Sequence, residues 1–294
     1  NYKFIWKGIF YMYRIVEKRV LNPQVTLMKI DAPAIAKKAQ PGQFIILRVD
    51  EHGERIPLTI SGYDREEGTV TIIFQIVGKT TSVLNEMEQG QSISDFVGPL
   101  GVPTHSDDSV KRVAVIGGGL GTAIAYPQAK HLFEQGKHVD SIVGFKNKDL
   151  IILEDEMRAC STELIVGTDD GSNGTKGFVT DLLKERIESG IKYDLVIAIG
   201  PLVMMKFVCQ LTEKYGIKTI VSMNPIMIDG TGMCGCCRLT VGGETKFACV
   251  DGPDFDGHLV DFDEAIRRSQ TYKPMEQESL EQHKCRLTGT VRSK

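Results

Sequence analysis

The chain has 294 residues, enough for about two domains at roughly 150 residues each. Lys and Arg number 35 against 38 Asp and Glu, a net charge of −3, which lacks the basic excess of a nucleic-acid binder. Apolar content of 41% and charged content of 25% are those of an ordinary globular protein, and no apolar run approaches the ~18–20 residues of a membrane helix. The opening stretch 1–10 is aromatic and basic, without the apolar segment or cleavage site of a signal peptide, so Met12 is read as the candidate start.

From Tyr13 to about Val102 the pattern is of short strands. Stretches 14–20, 25–30, 43–49, 58–62 and 69–77 are rich in β-branched residues and separated by turn signals such as Asn22-Pro23, Pro41-Gly42 and Glu66-Glu67-Gly68. With one helix-like stretch, 81–89, this spacing predicts a small antiparallel β-barrel over 12–106.

The polar segment 103–110 breaks that rhythm, and strands then alternate with helices. Strands at 112–116, 139–145, 163–167, 193–199 and 219–222 interleave with helices at 123–135, 154–160, 179–189 and 203–215, which predicts a parallel, doubly wound α/β domain over 107–223. A Gly- and Cys-rich segment (224–260) and a charged, helical tail (261–294) follow.

Each part carries a motif. Val113–Ile116 runs into Gly117, Gly118, Gly119, Leu120, Gly121 and Thr122 and then a helix, a turn that offers free backbone N–H groups and a positive dipole end to a phosphate. The match to G-x-G-x-x-G is imperfect, since Thr122 takes the third glycine position. Asp169, Asp170, Gly171 and Ser172 follow the third strand of this domain, at the edge where open α/β sheets bind ligands. In the barrel, Arg55, Pro57, Leu58, Thr59 and Ile60 place a guanidinium a few residues from a hydroxyl, suited to a ligand with a phosphate and a polar ring. Gly78, Lys79, Thr80 and Thr81 open the barrel's helix as a second phosphate cradle; a solvated arginine and a plain helix cap are the bland alternatives.

The sharpest signal is the cysteine cluster. Of seven cysteines, four fall between 234 and 249. A tight cluster in a chain this long reads as a metal site in a reducing cytoplasm rather than a disulfide scaffold. Cys234 and Cys237 form a C-x2-C pair on a glycine-rich loop, and Cys249 closes it after eleven intervening residues. A zinc ribbon would need a second such pair, so an iron–sulfur cluster is the better fit. Plant-type [2Fe–2S] loops read C-x4-C-x2-C, and laid on this chain the first ligand position is Asp229. Cys236 is the alternative fourth ligand, although its side chain, next to Cys237, would tend to point away.

With barrel, nucleotide domain and cysteine loop in this order, the sequence resembles the ferredoxin–NADP reductase superfamily over 13–259. Within it the chain is most similar to the branch with a C-terminal [2Fe–2S] loop. That branch includes the electron-transfer subunit of dihydroorotate dehydrogenase and the small subunit of the NADH-dependent reduced ferredoxin:NADP oxidoreductase. The resemblance implies FAD in the barrel, with Arg55 on its pyrophosphate and Leu58, Thr59 and Ile60 along the isoalloxazine. It implies Gly78–Thr81 as a second pyrophosphate contact, and Gly117–Thr122, Asp169–Ser172 and Gly200-Pro201 around the nicotinamide nucleotide. Two departures stand out. Ile199 precedes Gly200-Pro201 where many relatives have Cys, and Asp229 stands where the dihydroorotate branch has its first cysteine; the aspartate tips the likeness toward the oxidoreductase small subunits.

The implied activity is a redox relay. Hydride passes from NADH or NADPH to FAD, with Thr59 on the reactive edge of the flavin, and single electrons pass through the cluster to a larger flavin- and iron–sulfur-bearing partner. In the favoured branch that partner belongs to an electron-bifurcating heterodimer working with ferredoxin, and the tail 261–294 is read as facing it, with a solvated terminal helix as the alternative. A dihydroorotate dehydrogenase electron-transfer subunit and a non-catalytic redox sensor are the alternatives. Nucleotide choice stays open, because Lys146 and Lys148 suit a 2′-phosphate while Asp149 or Asp169 suits the free ribose.

Overall fold

The computed structural model describes residues 12–105 and 107–288; the opening stretch 1–10 lies outside the described residues. The first sheet contains β1 (Tyr13–Asn22), β2 (Val25–Asp31), β3 (Phe44–Arg48), β4 (Ile56–Asp64), β5 (Thr69–Gln75), β6 (Ser92–Ile93) and β7 (Asp95–Leu100). Its antiparallel order is β6-β1-β2-β5-β4-β3-β7. The two edge strands are neighbours in the chain, separated only by Ser94, whose N–H donates to the Val49 carbonyl at 3.1 Å. A sheet whose opposite edges are joined by one residue must curl on itself, and a nearly closed barrel results. The short β6 and β7 had no period of their own in the sequence.

Strand alternation gives this barrel two functions. On β3, Ile45 and Leu47 fill its interior with Ile60, Ile72 and Phe74, while Phe44 and Ile46 face outward into the core shared with the C-terminal segment. Val25, Leu27 and Ile73 likewise face outward and join the core of the second sheet. Helices α1 (Pro33–Ala36) and α2 (Lys79–Glu86) complete this half.

The second sheet has the order β10-β9-β8-β11-β12-β15. It is built from β8 (Arg112–Gly118), β9 (His138–Phe145), β10 (Glu163–Thr168), β11 (Leu195–Ile199) and β12 (Thr219–Ser222), all parallel, with α3 (Gly121–Glu134), α4 (Glu154–Ala159), α5 (Val179–Glu188) and α6 (Leu202–Lys214) as connections. Val113, Ala114, Val115 and Ile116 are fully enclosed, as expected of a strand covered on both faces. The chain starts at β8, winds outward to β10, then crosses back to β11. The order therefore reverses between β8 and β11, and the crevice at their carboxyl ends is where such sheets take ligands.

The cysteine-bearing segment is woven into this sheet. It forms a hairpin, β13 (Arg238–Val241) and β14 (Glu244–Phe247), and then adds β15 (Asp254–Asp256) antiparallel to β12. The described part of the tail forms two helices. Asp261 caps α7 (Phe262–Ser269) by accepting from the Glu264 N–H at 2.9 Å, and α8 (Lys273–Thr288) reaches back to α2, with His283 Nε2 3.6 Å from Glu86 Oε1.

Asp254 on β15 lies where barrel exit, α3 and cysteine segment meet. Its Oδ2 accepts from Thr104 Oγ1 at 2.6 Å and Gln128 Nε2 at 3.3 Å, while Oδ1 is buried without a partner. Burial pushes this carboxyl above its ordinary range. A raised folded pKa contributes stability that is fully present below the unfolded value, about 4 for a carboxyl, and is lost as pH rises through the folded value. Asp254→Asn is therefore expected to flatten the decline of the urea midpoint as pH rises from about 4 toward 8 and to leave stability at pH 8 equal or higher. A midpoint lowered equally at every pH would show that titration of Asp254 does not set the slope.

Candidate functional site

A cleft of about 540 Å³ opens between barrel and α/β sheet, at the reversal point of the strand order. Pro57, Leu58 and Thr59 line one wall, Gly118, Gly119 and Gly121 another, and Gly200 and Pro201 the end of β11. Ile60 does not contribute its side chain. It is the inward-facing neighbour of Thr59 and packs in the barrel core, so only its backbone is left for a ligand. Phe44, Lys146, Ser222, Met223 and Met227 also line the cleft; apart from Lys146, none carries a motif that sequence reasoning would single out.

The glycine turn has the geometry its position demands. Gly119 sits in the left-handed region, φ +55°, with nothing within 4 Å of a notional Cβ, and its N–H donates to the Gly144 carbonyl at 2.8 Å. A backbone this bare can be approached closely by a phosphate. Gly117 is tight instead: a Cβ there would stand 3.0 Å from the Thr122 Cα. Thr122 itself, in the first turn of α3, is fully buried, and its Oγ1 has no partner.

The 168–177 loop is ordered by its own polar groups. Thr168 Oγ1 donates to Asn173 Oδ1 at 2.8 Å, and Asn173 Nδ2 donates to the Val166 carbonyl at 2.8 Å. Ser172 Oγ accepts from the Lys148 N–H at 2.8 Å, tying this loop to the end of β9. Asp170 accepts from the Ser172 N–H at 2.9 Å, and the hydrogen bonds from Ser172 hold its carboxyl below the ordinary range. Asp169 and Asp170 stay exposed at the carboxyl edge, beside Gly171.

At the barrel's helix, Thr81 Oγ1 accepts from the backbone N–H groups of Val77 and Gly78, both at 3.0 Å, and Thr80 Oγ1 donates to Glu54. Both hydroxyls are thus committed within the protein. What Gly78 and Lys79 offer a phosphate is the open first turn of α2 and the lysine charge.

The cysteine loop closes on the barrel and the hairpin together. The Ala248 N–H donates to the Cys237 carbonyl at 3.2 Å, and this end of the hairpin brings Cys237 Sγ within 3.3 Å of Cys249 Sγ. Both are buried, whereas Cys234 is exposed and Cys236 half-buried. Burial, then contact with Cys237, pushes the Cys249 thiol up to about 12. Metal binding here must therefore release a proton, since the thiolate is the ligand. Asp229 folds over the loop: Oδ1 accepts from the Thr231 N–H at 3.0 Å and Oδ2 from the Cys234 N–H at 2.8 Å. These bonds, that of Thr231 foremost, keep its carboxyl below the ordinary range. Among the described residues no three acidic, cysteine or histidine side chains converge on one ion.

A barrel cleft opposite a glycine-edged nucleotide sheet, with a cysteine loop against both, defines a ferredoxin-reductase-like electron-transfer protein. Residues 224–261 match the iron–sulfur cluster binding domain of dihydroorotate dehydrogenase B. The chain is 45% identical, over 91% of its length and 94% of the relative's, to a dihydroorotate dehydrogenase B (NAD(+)) electron transfer subunit homolog of Thermotoga maritima. It is 32% identical to the corresponding electron transfer subunit of Bacillus caldolyticus, over 82% of this chain and 94% of that one. It also superposes, with TM-score 0.88 and 42% identity, on a chain in the structure of an NADH-dependent reduced ferredoxin–NADP oxidoreductase studied for flavin-based electron bifurcation, covering 94% of this chain and 99% of that one. The chain belongs to the electron-transfer subunit family of dihydroorotate dehydrogenase B. No helix among the described residues is long and apolar enough to cross a membrane.

Proposed function

We propose that the chain is the flavin- and cluster-bearing small subunit of an NADH-dependent, electron-bifurcating ferredoxin:NADP oxidoreductase, a cytoplasmic heterodimer with a larger flavin and iron–sulfur subunit. FAD lies in the barrel cleft, NADH approaches it from the Gly117–Thr122 side, and a [2Fe–2S] cluster is held by Asp229, Cys234, Cys237 and Cys249. The observation that carries this reading is the adjacency of the two sites: Met227 lines the cleft, and Asp229 is two residues further along the same chain.

When bound, FAD supplies the exchange between a two-electron donor and a one-electron acceptor. The chain supplies placement. Thr59, on the outer face of β4, orients the reactive edge of the flavin with its hydroxyl. Pro57 and Leu58 back the ring, and Arg55 offers a fork to the pyrophosphate. Gly118, Gly119 and Gly121 admit the nucleotide phosphates, Gly200 and Pro201 border the nicotinamide, and Ile199 leaves no thiol there. The exposed Asp169 and Asp170 favour a free ribose over a 2′-phosphate, so NADH is the expected donor in spite of Lys146. Helices α7 and α8 lie toward the larger subunit.

The test is anaerobic purification with flavin and iron counted per chain, followed by titration with each nucleotide. One FAD, two irons and bleaching by NADH at a lower concentration than NADPH are expected. A colourless chain that stays so after reconstitution overturns the reading. A second reading, the electron-transfer subunit of a dihydroorotate dehydrogenase, is favoured by the names of the sequence relatives. Copurification with a dihydroorotate-oxidising barrel enzyme, rather than a two-flavin complex, would select it.

In the same preparation Cys236→Ser is expected to leave the cluster's absorption and EPR spectra intact. Loss of the cluster would exchange Cys236 for Asp229 in the ligand set.

A further inference from the structure

Arg55 stands between two sites that the sequence presents as separate. Its Nε donates to the Ile228 carbonyl at 2.7 Å, and its Nη1 lies 3.7 Å from Asp95 Oδ2. Asp95 is itself held by Arg48 Nε at 2.6 Å, which fixes the flank of the guanidinium. Ile228 is flanked by Met227, which lines the cleft, and by Asp229 of the cysteine loop. The loop is also pressed onto the barrel here, since a Cβ on Gly230, at φ +78°, would stand 2.6 Å from Leu100 Cδ1 and 2.9 Å from Ile46 Cδ1. One planar side chain thus grips the backbone beside Asp229, with further N–H donors in the same fork to meet an anion.

From this geometry we infer that Arg55 is a positioning residue that couples the two sites: a pyrophosphate held by its fork fixes the guanidinium, and the fixed guanidinium holds the cluster loop through Ile228. The inference rests on the flavin and cluster reading above. Coupling of this kind is reciprocal, so an occupied cleft stabilises the loop and an intact loop tightens the cleft.

The experiment uses the full chain, with FAD present and after FAD is stripped. Loss of iron to a chelator is followed, along with the EPR line shape of the reduced cluster. In the unaltered protein, stripping FAD is expected to speed iron loss on the order of fivefold, the low end of such couplings, and to change the line shape. Arg55→Lys keeps the charge but has no Nε fork. It is expected to show the faster loss and the altered line shape with or without FAD. If that variant does not fold, Asp95→Asn, which frees the flank of the guanidinium and leaves FAD as its remaining anchor, is expected to increase the FAD dependence. An unaltered protein whose iron loss and line shape ignore FAD overturns the coupling. So does an Arg55→Lys protein with undiminished FAD dependence, or an Asp95→Asn protein whose FAD dependence is no greater than that of the unaltered one. A preparation lacking iron and flavin altogether would instead defeat the underlying functional reading.

Discussion

Replacing Cys237 or Cys249 by serine is expected to remove the cluster outright. The two sulfurs are buried 3.3 Å apart at the closed end of the β13–β14 hairpin, and among the described residues no other cysteine is enclosed there. Serine oxygen is a hard ligand and a poor replacement for thiolate at iron. The loss of iron affinity should exceed the roughly 10–100-fold that changes in the surrounding shell cause. NADH oxidation with a two-electron dye as acceptor should persist, falling by no more than about fivefold, because the glycine turn is untouched and the cleft loses only its coupling to the loop. Reduction of a one-electron acceptor through the cluster should vanish. Parallel assays with the two acceptors, beside iron analysis, check this; if both rates vanish together, the cluster segment serves the fold rather than the electron path.

Gly121→Ala is expected to be the most damaging change at the nucleotide turn. A Cβ at Gly121 would stand 2.2 Å from the Ile199 carbonyl oxygen and 2.8 Å from the Gly200 Cα, and both are backbone. The first turn of α3 would have to lift off the end of β11, parting the two strands whose junction forms the crevice. Overpacking against rigid neighbours should cost about 3 kcal/mol or more. In a chain of this size that is a fall in Tm of roughly 6–12 °C, with NADH affinity lowered more than about tenfold, the equivalent of 1.4 kcal/mol. Two neighbours provide the scale. At Gly118 the obstacle is Met204 Sδ at 2.3 Å, the end of a flexible side chain, so alanine there should cost less than about 1.5 kcal/mol. At Gly119 there is open space but φ is +55°, so alanine should cost about 1–2 kcal/mol. Calorimetry of the three variants gives the order; a Gly121→Ala protein as stable as Gly119→Ala would show that α3 tolerates displacement.

The barrel and the α/β alternation were legible because each has a period that side-chain burial enforces. Val70, Ile72 and Phe74 mark every second residue of β5, and Val113–Ile116 form an unbroken run. The glycine turn and the C-x2-C pair were legible because backbone approach and thiolate ligation each demand one residue type. What escaped the sequence depends on pairing at a distance. β6 and β15, two and three residues long, exist only because β1 and β12 offer them an edge. Met227 and Ser222 enter the cleft through chain topology, with no motif to mark them. Ile60 shows the converse, since a motif can name a residue whose strand position turns its side chain away.

The strand β15 ties the redox segment to the nucleotide sheet, and it closes an edge that would otherwise lie open. A chain cut after Met223 would retain every strand up to β12 but leave β12's outer N–H and C=O groups bare, a template for another molecule. The iron-binding region is thus no detachable cartridge. Stripped of it, the nucleotide half is expected to stick to its own copies, so conductor and foundation stand or fall as one.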